Sequence, residues 1–162
     1  MQKLLTKYDT SQADIIRRAL QWMAIMETTT EKTPLDNILT YVDRLASNEH
    51  IILDIAHWRM FLNSINGGSK QFLNDVYKTG ENHRTEYSEM GLREVRHVLK
   101  YIEKMNWYKL NEESPTSFTL VLTVPESAKF IKAFFEGFFN KFNQRVEITE
   151  EDMKLRIKTY PS

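Results

Sequence analysis

One stretch limits what this chain can become. KFIKAFFEGFFNKF, residues 129–142, sets Phe130, Phe134, Gly137, Phe138 and Phe142 at helical spacing. Such a face is not left in water, because burying even four phenylalanines is worth on the order of 6–12 kcal/mol before entropy is charged. The flanking residues say what meets it. FTLVLTV, residues 118–124, alternates Phe118, Leu120, Leu122 and Val124, the period of a strand with one buried face. Downstream, RVEIT and KLRIKT read as two further strands joined by a short acidic connection. From Phe118 to Lys158 the order is strand, helix, strand, strand.

The preceding residues supply the cover. LREVRHVLKYIEKM (92–105) places Val95, Val98, Leu99 and Ile102 inward. Gly91 separates it from a helix starting at Lys70, with Phe72, Leu73, Val76, Tyr77 and Gly80 on one face. NWYKLNEES pairs with the Phe118 strand across a Glu-Glu-Ser-Pro turn. Further back, HIILDI reads as a buried strand. Asp54 caps a helix carrying Trp58, Phe61, Leu62 and Ile65, and Asn66-Gly67-Gly68 ends it. Thr33 and Pro34 open a helix whose stripe is Leu35, Ile38, Leu39, Val42 and Leu45.

The chain begins with a short helix (Leu4, Leu5, Tyr8) and an interruption at Asp9, Thr10 and Ser11. A second helix, QADIIRRALQWMAIM, then sets Ile15, Ile16, Ala19, Leu20 and Met23 on one side. METTTEKT, rich in threonine and charge, reads as a connection. The expectation is an α+β protein in two parts: a short two-helix module over residues 1–30, and an antiparallel-sheet domain covered by helices over residues 31–162. Two short helices bury too little to stand alone, so a homodimer is expected.

Composition narrows the function classes. Lys plus Arg equals Asp plus Glu at 22 each, so any basic surface must be local. With no cysteine, disulfides, thiol catalysis and cysteine-ligated metals are excluded. His50, His57, His83 and His97 include no pair at i+3 or i+4, and no metal site or cofactor is expected. A phosphate-binding glycine loop and a nucleophile elbow are both missing, which leaves no enzyme hypothesis. Glu147, Glu150, Glu151 and Asp152 read as a solvated turn. The opening residues MQKLLTKYDTSQ hold no apolar run suited to a signal peptide, and no stretch suits a bilayer span; a cytoplasmic protein without a membrane partner is expected.

LLTKYDTSQADIIRRAL resembles the ribbon-helix-helix family of DNA-binding proteins. In that family two chains interlock, a paired strand enters the major groove, and the amino end of the second helix grips backbone phosphate. The resemblance implies Thr10, Ser11 and Gln12 at the phosphate contact, with Arg17 and Arg18 as nearby charge or as partners of acids in the dimer. Only Met1, Gln2 and Lys3 precede the first helix, so the family's strand is expected either upstream of this chain or not at all.

Residues 70–158 resemble the 4-vinyl reductase domain family, which shares its fold with haem-nitric-oxide sensors and small TRAPP subunits. FLNDVYKTGENHRTEY, FIKAFFEGFFNKF and VEITEEDMKLRIKT carry the likeness. It implies a helix lying against an antiparallel sheet, with Gly137 allowing close approach of another element. Some members bind small apolar molecules; Trp58, Trp107, Tyr108, Phe134 and Phe138 could line such a pocket or form a closed core.

Archaeal regulators joining both modules imply the function: a homodimeric DNA-binding transcriptional regulator with a C-terminal sensor or assembly domain. A non-DNA ligand-binding or protein-interaction module of TRAPP-like fold is the alternative. Arg93, Arg96, Lys100 and Lys104 recur at helical spacing, and read either as a winged-helix recognition face or as a solvated helix surface.

Overall fold

Two helices of the sheet-containing region start at side-chain caps, and one of them stops at a glycine. The computed structural model describes residues 2–30, 35–46, 50–65, 69–142 and 144–160. It is an α+β protein that divides into two compact units, Met1–His50 and Ile51–Ser162.

In the second unit, α4 (Ile55–Ser64) is capped by Asp54, whose Oδ1 accepts from the Ala56 N–H at 2.7 Å. Ser69 caps α5 (Lys70–Glu89) in the same way, accepting from the Phe72 N–H at 3.1 Å. Gly91, at φ 83°, ends α5 in a Schellman motif: the Leu92 N–H reaches the Tyr87 carbonyl at 2.9 Å and the Gly91 N–H reaches Ser88 at 3.1 Å. The next helix, α6 (Val95–Glu103), buries Val95, Val98, Leu99 and Ile102.

Strands β1 (Tyr108–Ser114) and β2 (Ser117–Leu122) form a hairpin with a bulge near Glu113. A 3-10 turn at Pro125–Ser127 leads into α7 (Ala128–Phe139), then β3 (Arg145–Glu151) and β4 (Lys154–Tyr160). All pairings are antiparallel in the order β1-β2-β4-β3. Phe118 pairs with Ile157, which pairs with Ile148; Leu120 pairs with Leu155. These residues are the buried face of the sheet, and α7 adds Ile131, Phe134, Phe135, Phe138 and Phe139 to the same core. Phe130 and Phe142 sit half-buried at its margin.

Helix α5 crosses α7 where neither has a side chain. A Cβ on Gly137 would fall on the Tyr77 carbonyl oxygen, and one on Gly80 would fall on that of Phe134. Two glycines let two backbones touch, and that fixes the crossing point.

The first unit contains α1 (Gln2–Tyr8), α2 (Gln12–Thr30) and α3 (Leu35–Ala46). Asp9, at φ 44°, turns the chain between α1 and α2, a conformation aspartate tolerates. Among the described residues of this unit no apolar side chain is buried; Arg44 alone is.

Several expectations change. HIILDI is not a strand: residues 51–54 lie outside helix and sheet, Ile51 and Ile52 are 84% and 76% exposed, and Ile55 begins α4. A strand needs a ladder partner, and the Asp54 cap commits the following residue to helix. The stretch METTTEKT is not wholly a connection, since α2 runs on to Thr30. The acidic connection is shorter than expected, because β3 extends through Glu151 and the turn is Asp152-Met153. Thr33 and Pro34, expected to start α3, and Asn66-Gly67-Gly68, expected to end α4, lie outside the described residues.

Candidate functional site

The resemblance to a phosphate-gripping module directs attention to the amino end of α2. Ser11 immediately precedes it, and its Oγ accepts from the Asp14 N–H at 3.1 Å while donating to Asp14 Oδ2 at 2.6 Å. Ser11 thus caps the helix, and its hydroxyl also bonds the carboxylate of the aspartate at the third helical position. Thr10 Oγ1 also points to Asp14 Oδ2, at 3.4 Å. Arg17 closes the group through an ion pair with Asp14 Oδ1 at 2.6 Å. The Ser11 hydroxyl first, with Arg17 beside it, holds the Asp14 carboxyl below its ordinary value.

Thr10, Ser11 and Arg17 therefore converge, and the residue they converge on is Asp14. Gln12 and Arg18 are exposed alongside and take no part in that cluster. Sequence reasoning passed over Asp14, although Ser-Gln-Ala-Asp carries the serine-to-acid spacing that marks a capping box. Chemically the consequence is direct. A carboxylate already puts negative charge in the first turn, where the helix dipole favours it, and it engages one of the two arginines.

The proposed pocket residues lie in the second unit. Tyr108, Phe134 and Phe138 belong to the core, and Trp107 and Trp58 lie half-buried at its edge. Their rings touch one another: Trp107 meets Phe134 edge-on at 5.3 Å, and Trp58 meets Phe130 at 5.2 Å. The Tyr108 hydroxyl donates to the Leu99 carbonyl at 2.8 Å, and burial pushes its pKa well above the usual tyrosine value. A cleft of about 290 Å³ opens elsewhere, between Leu62 and Asn63 of α4, Pro125 and Glu126, Ala128 and Lys129 of α7, and Glu150 of β3. At its side Arg59 holds Glu126 at 2.7 Å, lowering the pKa of that carboxyl. Residues 59 and 126 are far apart in sequence, and nothing in the chain announces the pair.

No protein-family model, curated protein or solved structure matches the chain. The residues must carry the functional case alone.

The basic stripe of α6 is partly neutralised. Arg96 and Lys100 both reach Glu112 of β1, at 2.9 and 3.4 Å. On the outer face of the sheet Arg156 pairs with Glu151 at 2.7 Å, and the Tyr160 hydroxyl donates to Glu147 at 2.9 Å. Of the carboxylates expected in a turn, Glu147 and Glu151 lie instead in the β3 ladder beside a hydroxyl and a cation, and Asp152 does form the turn. Among the described residues, no group of histidines and acids is placed to hold a metal ion, and no helix is long and apolar enough to cross a membrane.

Proposed function

We propose that this protein is a DNA-binding transcriptional regulator working as a homodimer, with the sheet-containing unit serving as its sensor or assembly part. The observation that carries the dimer is the first unit's want of a core: α2 exposes Ile16, Leu20 and Met23 on one side, the latter two at 60% and 67%, with no buried apolar neighbour among the unit's described residues. A helix presenting that stripe to water gains little from folding, and a second chain supplies the missing apolar surface. Supporting DNA contact, the dimer would bring together two α2 amino ends. Each has a Ser11 cap and exposed Arg17 and Arg18 at one end of a helix.

Contact with phosphate requires Arg17 to exchange Asp14 for the DNA backbone. Titrating the protein against the DNA flanking its own gene at several salt concentrations tests this. Specific binding that weakens steeply as salt rises is expected; no binding at low salt would reject DNA as the partner.

Asp14 favours a second reading. With its carboxylate in the first turn of α2 and bonded to Arg17, the same dimer can serve as a protein-interaction or ligand-binding module that never meets nucleic acid. Replacing Asp14 with Asn separates the two. A DNA-binding dimer is expected to bind several-fold tighter once that charge is gone, whereas a module that avoids DNA remains a non-binder.

A further inference from the structure

We infer that α3, as well as α2, seats on a second copy of this chain, so that residues 1–50 of two chains complete one helical bundle. This rests on the homodimer proposed above, extends its interface beyond α1 and α2, and does not depend on DNA. Leu35, Leu39, Val42 and Leu45 share one side of α3 by spacing, and all are exposed, Leu39 and Val42 at 58% and 60%. A helix of 12 residues with an uncovered apolar stripe is not stable alone. Its neighbours in the unit leave it uncovered: among the described residues no apolar side chain of the unit is buried.

Area identifies the occupant. At ordinary side-chain areas, the exposed parts of the α2 stripe (Ile16, Leu20, Met23) and of the α3 stripe total roughly 650 Å², most of the about 800 Å² given by each partner in a standard interface. One compact unit carries both uncovered stripes, which is what a two-fold interface needs: each chain brings the surface the other lacks.

The chain has no cysteine, which makes single-cysteine cross-linking clean. Full-length Leu39→Cys and Val42→Cys proteins are oxidised at low concentration, with Asp75→Cys on the solvated side of α5 as control. The expected result is a covalent dimer at position 39 or 42 in large excess over position 75. In parallel, Leu39→Glu with Val42→Glu is sized by sedimentation, while near-ultraviolet circular dichroism checks the sheet unit. A shift to monomer with the sheet signal intact is expected. Cross-linking no better than the control, in a dimer that survives the double glutamate, overturns the α3 interface and leaves a dimer through α1 and α2 standing. A wild-type chain that is monomeric, so that another part of the same chain or another partner covers the stripe, overturns both.

Discussion

At Gly137 two rules of thumb give opposite signs, and the structure says which wins. Alanine in a helix interior is ordinarily better than glycine by about 1 kcal/mol. Here a methyl group would overlap the Tyr77 carbonyl, a backbone atom that cannot swing aside. Gly137→Ala is therefore expected to destabilise the sheet unit by about 2 kcal/mol or more, read from the midpoint of urea unfolding. An unchanged or raised midpoint would refute the contact. Tyr108 offers a pH test. Its raised pKa means that the unfolded chain releases the phenolic proton first, so stability present below about pH 10 declines as pH rises beyond it. Tyr108→Phe is expected to flatten that decline. Asp14 has the opposite sign: its lowered pKa stabilises the start of α2 above the ordinary aspartate value, and this is lost as pH falls through and below about 4. Helical circular dichroism of the wild type and of Asp14→Asn would show whether that acid loss belongs to this residue.

Whether an element could be read from sequence depends on where its partner lies. The Phe118 strand, α7 and α6 were legible because their periodicity records a buried face, and Gly137 was legible as a place for another backbone, though not for which one. Gly80, on α5, appeared only as part of an apolar face; its role follows from a crossing that no local pattern encodes. Residues 50–55 misled for the same reason. A short apolar run suits a strand or a helix start alike, and only the ladder, which is non-local, decides between them. Arg96 and Lys100 looked like a basic face until Glu112, on a different element, was in place. Charge reversal there tests the point: Glu112→Lys is expected to raise non-specific binding to polyanions, seen as later elution from heparin, with little loss of stability because the pairs are partly exposed. Unaltered elution would mean that the α6 cations were already available.

For the whole molecule, the two units differ in how far they explain themselves. Ile51–Ser162 holds a closed core in which aromatic rings meet ring to ring. Met1–His50 holds amphipathic helices with no apolar interior among its described residues. The sequence signalled Ile51–Ser162 strongly and Met1–His50 weakly, yet the proposed function depends on Met1–His50. That asymmetry is physical: a core within one chain leaves its period in that chain, whereas a core shared between chains leaves only stripes awaiting a partner. The most direct measurement is the mass of the unaltered protein by sedimentation equilibrium across micromolar concentrations, with helical circular dichroism recorded alongside. Twice 19.2 kDa, with helicity falling as dilution drives dissociation, is the predicted result. A mass of 19.2 kDa with full helicity at every concentration would contradict it.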